Sequence, residues 1–182
     1  MNYRAAVAAG LLIGALAGCA DPNPPPPPGI SGLEPSGCTP DLTCHPAAAQ
    51  TGDYEVDCVA RVNQFRTCLC LPVLARWTIG EACADEDAAY DAPRTPHAGF
   101  LANLCVPEGF AENECSGWPA EPDVIGGCLQ AMFDEGPPPA VCTGACAEAH
   151  GHFVNMTNPE YTMVACGLAT VNGQITAVQN FE

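Results

Sequence analysis

At 182 residues the chain has room for one ordinary domain and a short extension. A net charge of −16, with five Lys and Arg against 21 Asp and Glu, excludes the basic surface that nucleic acid or anionic headgroups require. It describes a solvated acidic coat with some attraction for divalent cations.

The first 18 residues read as a targeting segment rather than structure. Arg4 is their only charge, and the apolar run Ala5 to Ala17 is too short to span a bilayer as a stable helix. The run ends in Leu16-Ala17-Gly18-Cys19, which resembles a bacterial lipobox. That resemblance implies cleavage before Cys19, a lipid on its thiol, and an envelope location, the outer membrane in particular because Ala20 carries no acidic retention signal. An ordinary secretory leader with a chance cysteine is the alternative. Residues 19–37 contain five consecutive prolines, Pro24 to Pro28. Such a run holds polyproline II, so the segment reads as a tether of on the order of 50 Å at ~3.1 Å per residue.

Beyond Cys19 stand twelve cysteines, at 38, 44, 58, 68, 70, 83, 105, 115, 128, 142, 146 and 166. An even number in a small exported chain points to disulfides. Cys68 and Cys70 are too close to pair with each other easily, so each is expected to reach a different partner. Residues 38–55 read as a Cys-rich lead-in, in which Cys44-His45 favours a disulfide over half a metal site.

Helical periodicity begins at Tyr54, with Asp53 as N-cap and Asp57 in the first turn, and should end near Leu71-Pro72. A second helix is expected from Thr78, as N-cap of a capping box with Glu81, to about Asp91; Pro93 and Pro96 then break it. Trp118 to Pro122 reads as a turn, and Asp123 opens a helix through Val124, Cys128, Ala131 and Met132. Cys142, Cys146, His150 and His152 lie at one-face helical spacing. A disulfide from this loop to elsewhere, bracing His152, is favoured over a thiolate–zinc site. Asn158-Pro159 stops the next helix. Tyr161 to Thr170 and Gln174 to Phe181 read as strands joined by Asn172-Gly173, the strongest short hairpin signal.

Gly151-His152-x-x-Asn155, then Asn158-Pro159, Cys166-Gly167 and a final hairpin, resemble the CAP superfamily (cysteine-rich secretory proteins, antigen five, pathogenesis-related one). Upstream, Val59-x-x-x-Asn63-x-x-Arg66 and Leu71-Pro72-x-Leu74-x-x-Trp77 are similar to its first helix and the turn that follows. There Asn63 and Arg66 are expected to buttress the turn by hydrogen bonds, and Leu74 and Trp77 to pack in the core. His97-Ala98 stands where the family has its first site histidine, after an insertion at Ala92 to Pro96. Glu112-Asn113 match two residues of Gly-Glu-Asn-Ile, with Ala111 and Glu114 replacing the outer two. Met132-x-x-Glu135 keeps the spacing of Trp-x-x-Glu, with Asp134 as a competing candidate.

The resemblance covers residues 56–182. It implies an α+β fold, an α-β-α sandwich with a three-stranded antiparallel sheet, and a cleft holding His97, Glu112, Glu135 and His152. Two neutral imidazoles close together chelate a divalent cation such as zinc, with a carboxylate on each ring fixing its tautomer. Rings less than about 5 Å apart would be bridged by one ion with Zn–N bonds of ~2.0–2.1 Å. Three functions are expected in this order of preference. One is an anchored module binding a small ligand, lipid, sterol-like molecule or peptide. The next is a metal-dependent hydrolase with Glu112 or Glu135 as general base. The last is a disulfide-rich interaction module with a vestigial cleft, whose four polar residues only stabilise one another.

Overall fold

The computed structural model describes residues 37–104 and 109–182. The expected leader, the expected lipidation site Cys19, most of the segment read as a proline tether and Cys105 lie outside the described residues. In chain order the elements are helix α1 (Tyr54–Cys68), strand β1 (Ala75–Arg76), α2 (Thr78–Asp91), α3 (Ala98–Ala102), β2 (Ala111–Trp118) and α4 (Glu121–Asp123). A π-turn (Val124–Cys128) then leads to α5 (Leu129–Asp134), α6 (Ala145–Glu148), α7 (Gly151–Thr157), β3 (Met163–Val171) and β4 (Gln174–Phe181).

Helix α1 starts where Asp53 accepts the Val56 N–H at 3.0 Å. It ends in a Schellman motif: Leu71 N–H bonds to Arg66 O and Cys70 N–H to Thr67 O. The left-handed residue of that motif is Cys70 (φ 62°), where glycine is usual, and its disulfide to Cys38 ties it down. Below the motif the side chains of Asn63 and Arg66 hold the turn as expected. Asn63 makes a two-way bond with the backbone of Leu74, at 2.9 and 2.7 Å, and Arg66 Nε donates to Pro72 O at 2.7 Å. Leu74 and Trp77 are buried.

The sheet has four strands in the order β1-β3-β4-β2, not three. β2, β3 and β4 are antiparallel, and the two-residue β1 adds a parallel edge beside Met163 and Val164. Asn172 (φ 54°) and Gly173 (φ 77°) make the hairpin turn between β3 and β4 with both central residues at positive φ. Central strand β4 is buried on both faces from Ile175 to Phe181. Its alternation separates two cores. Ile175, Ala177 and Phe181, with Val164 and Cys166 of β3, pack towards α1, α5 and α7. Ala165 and Val178 pack on the opposite face with Trp77, Ala84 and Ala88. Gly167 permits that second contact: a Cβ there would stand 2.3 Å from the Asp85 backbone nitrogen.

Two helix starts differ from expectation. Thr78 does not cap α2, because the Trp77 N–H bonds to Val164 O and the chain passes straight from sheet to helix. Glu81 is taken by the Arg76 guanidinium instead of reaching back. The helix expected from Asp123 begins at Glu121, with Pro122 in its first turn.

Disulfides join Cys38–Cys70, Cys44–Cys68, Cys58–Cys166, Cys115–Cys128 and Cys142–Cys146. Cys83 is disulfide-bonded as well. Cys68 and Cys70 do reach different partners. Cys142 and Cys146 close on each other, so the bridge expected to brace His152 from this loop is absent. The turn at Gly144 (φ 58°) brings Cys142 back to Cys146. The framework suits an oxidising compartment, and no helix among the described residues is long and apolar enough to cross a membrane.

Candidate functional site

Strand β2 is one of the two edges of the sheet. Its side chains alternate between the α3 side and the α7 side. Glu112 and Glu114 point to the α3 side, where they meet His97, and Asn113 points to α7. The expected site residues therefore converge from three directions on one strand edge.

His97 precedes the five-residue helix α3 and has a left-handed backbone (φ 63°, ψ 15°), uncommon for a residue with a Cβ. Its ring Nδ1 lies 2.7 Å from Glu112 Oε1, and its backbone N–H donates to Glu114 Oε2 at 2.7 Å. Ser116 Oγ donates to the other oxygen of Glu114 at 2.5 Å. Asp91, at the end of α2, accepts the Gly99 N–H at 2.7 Å and so holds the start of α3. Residues 92–96 thus lead His97 to Glu112 and Glu114 through a turn that Asp91 holds at its far side.

His152 sits in the first turn of α7. Its ring Nδ1 lies 2.5 Å from Glu135 Oε1. Glu135 Oε2 accepts the N–H groups of His152 and Phe153, at 3.1 and 3.2 Å. Glu135 is therefore both the partner of the ring and the cap of the helix that carries it. The competing Asp134 faces away, towards Gln130 and His45. Met132 and Phe133 are both core residues, and Phe133 stacks on Phe65 with ring centres 4.6 Å apart.

Asparagines lock α7 to β2. Asn113 Nδ2 donates to His152 O at 3.1 Å, and Asn155 Nδ2 reaches Glu112 O at 3.1 Å and Asn113 Oδ1 at 2.9 Å. The two imidazoles face one another at 6.5 Å between centres, tilted by 34°. Their side chains are 35% and 32% exposed, whereas Glu112 is 1% and Glu135 20% exposed. Rings are thus open to a ligand and carboxylates stand behind them.

Burial pushes the Glu112 carboxyl up to about 7, against the opposing pull of His97. His97 is raised in turn, chiefly by its hydrogen bond to Glu112. The pair holds a proton near neutral pH more firmly than either group would alone. Burial also raises Asp87 and Asp91 behind it. Glu112 Oε2 and Asp91 Oδ2 are buried with no hydrogen-bond partner among the described residues.

The donor set fits a divalent cation. Each ring meets a carboxylate through Nδ1, which leaves Nε2 as the open lone pair, the arrangement of a ligating histidine. The spacing is wider than the expected 5 Å. With Zn–N of ~2.0–2.1 Å and ring centres roughly 1.1 Å behind each nitrogen, a tetrahedral pair would bring the centres to about 5 Å. Closing the gap takes side-chain rotation of about 1 Å or more. His97, Glu112 and Glu114 also bring donor atoms within 4.8 Å of one another. Glu114 is the residue that sequence reasoning passed over, being visible there only as a replacement for isoleucine.

Beside His152 a cavity of about 490 Å³ opens between the loop after α5 and helix α7, lined by Pro138, Pro139, Ala140, Gly151, Val154 and Asn155. Its walls are mostly apolar.

No protein-family model matches the chain, and no curated protein matches it. Among solved structures the fold is similar to that described as "Structure of BmVAL-1", with a TM-score of 0.52 and 18% sequence identity over 75% of this chain and 80% of that one. BmVAL-1 is a venom allergen-like protein of the CAP superfamily, so the fold that the motifs resemble is the fold the chain adopts.

Proposed function

We propose that this chain is an extracytoplasmic CAP-like binding protein. His97 and His152 would hold one divalent cation, zinc first, and an apolar ligand would lie in the adjoining cavity. The observation that carries the reading is the pair of imidazole–carboxylate contacts. Each holds a partly exposed ring by Nδ1 and leaves Nε2 free of that contact. Glu112 and Glu135 would orient the rings, and the bound cation would supply positive charge for an anionic or carbonyl oxygen of a ligand. The Pro138–Pro139 loop and Val154 would take the ligand's apolar part. A sterol-like molecule, a lipid chain or an apolar peptide side chain suits these walls.

Calorimetric titration of the oxidised protein with zinc tests the cation. One site per chain is expected, weakened at least tenfold in His97→Ala/His152→Ala and 10–100-fold by Glu112→Gln or Glu135→Gln. Equal affinity in the double variant would remove the site. Mass spectrometry of organic extracts tests the cavity, with bound lipid expected in the wild type and lost in Val154→Asp.

A second reading, a metal-dependent hydrolase, rests on the Glu112 carboxyl near 7, where a general base works best. Ester or peptide hydrolysis that survives Glu112→Gln would rule out Glu112 as that base.

The lipobox-like Leu16-Ala17-Gly18-Cys19 supports a lipid tether at Cys19, with the proline run as spacer from an envelope membrane. Metabolic lipid labelling that persists in Cys19→Ala would remove it.

A further inference from the structure

The loop that joins Glu135 to His152 carries a second convergence of soft ligands. One donor atom each from Cys142, Cys146 and His150 lie within 4.8 Å of one another. In the oxidised chain the two sulfurs are bonded together and neither is a ligand. The imidazole is nevertheless set up as one. His150 Nδ1 lies 2.7 Å from Glu135 O and 2.9 Å from Gly136 O. Carbonyl oxygens only accept, so Nδ1 carries the hydrogen and Nε2 keeps the lone pair. A backbone carbonyl on the far nitrogen is the usual support of a metal-binding histidine.

Among the five disulfides described in full, this is also the one placed to open first. It spans 4 residues, against 13 to 108 for the other four described in full. Loop-closure entropy therefore contributes least to it. Neither cysteine is fully buried, and both lie on an exposed turn. Cys58, Cys115, Cys128 and Cys166 are buried in the core. Cys44–Cys68 is half-buried too but closes 24 residues.

We propose that a small dithiol reductant converts this loop into a zinc(II) site made of Cys142, Cys146 and His150, with a fourth position open. The dithiol supplies two electrons and two protons and becomes a cyclic disulfide. The Cys142–Cys146 bond breaks to give two thiols. On zinc binding both sulfurs ligate as thiolates and their two protons pass to solvent. Glu135 then stands between two sites, its carbonyl holding His150 and its carboxylate holding His152. The inference does not rest on the His97–His152 reading, which uses different ligands.

The test uses the folded chain, treated with a limiting dithiol that is removed by gel filtration, and cobalt(II) as the spectroscopic probe. Alkylation and mass mapping should find Cys142 and Cys146 free before other cysteines, with the far-UV spectrum unchanged. One cobalt per chain should bind with a thiolate charge-transfer band that zinc displaces. The band should be absent from Cys142→Ser/Cys146→Ser and from the oxidised protein, and kept in His97→Ala/His152→Ala. His150→Gln should bind at least tenfold more weakly. Earlier opening of another disulfide, unfolding on reduction, a missing band in the reduced folded chain, or unchanged affinity in His150→Gln would each overturn the proposal.

Discussion

Glu114 Oε2 accepts the backbone N–H of His97 at 2.7 Å, fixing the main chain of the residue whose ring Glu112 fixes two positions earlier on the same strand. Left-handed backbone at a non-glycine residue costs on the order of 1 kcal/mol, and a buried carboxylate on its N–H offsets that cost. Glu114→Ala should lower stability by about 1–3 kcal/mol and return the His97 titration towards an ordinary histidine, followed by NMR. Glu114→Gln, which keeps an acceptor, should recover most of the stability. An unmoved His97 titration in Glu114→Ala would reduce Glu114 to a packing residue.

Stability should fall as pH rises from about 5 to 8. The folded carboxyl of Glu112 is raised to about 7, above its unfolded value, so between the two the folded state binds more protons. The contribution is present below the unfolded value and lost as pH passes through the folded one. His97, raised by Glu112, has the same sign, as do Asp87 and Asp91, raised by burial. Chemical denaturation across this range should show a slope in the wild type and a shallower one in Glu112→Gln. Equal slopes would mean that Glu112 ionises normally.

Arg66 is fully buried, and its guanidinium joins Pro72 O, Met156 O and Asn158 O at 2.7, 3.0 and 2.9 Å. Burial lowers its own pKa to about 10. Arg66→Met leaves three carbonyls without a donor and should cost about 3 kcal/mol or more, read from the denaturation midpoint. Arg66→Lys should recover only part, because an ammonium cannot span all three. A loss below 1 kcal/mol in Arg66→Met would show that water replaces the guanidinium.

Gly167→Ala should be the most damaging single methyl in the sheet. The added Cβ would meet Asp85 N at 2.3 Å and Ala84 C at 2.4 Å, both helix backbone that cannot swing aside. A loss of about 2–3 kcal/mol is expected from overpacking. Gly151→Ala, where no atom lies within 4 Å, is the control and should change stability little.

What could be read in the sequence was local. Asn172-Gly173 sets its own φ, Asn63 and Arg66 share a helix face, and Gly151-His152-x-x-Asn155 places ring and amide one turn apart. Strand β2 hid because polar residues take most of its inward positions: Glu112 and Glu114 serve His97 and Asn113 serves α7, leaving Cys115 as its core residue, so no apolar alternation marks it. The backbone of His97 hid because Glu114, 17 residues away, holds it. Two thiols four residues apart could as well have gone to distant partners, and only the turn around Gly144 (φ 58°) brings Cys142 back to Cys146.

The Cys58–Cys166 bond ties the first helix to the penultimate strand across 108 residues. For a chain threading an export channel from its N-terminus, this bond cannot close until nearly all of it has emerged. Cys142–Cys146, Cys115–Cys128 and Cys44–Cys68 need only neighbours that emerge within 4 to 24 residues of each other. Oxidative maturation therefore has a built-in order. Short bonds can set during transit, and the one that staples helix to sheet is a late step, so a chain arrested in translocation stays open at its core.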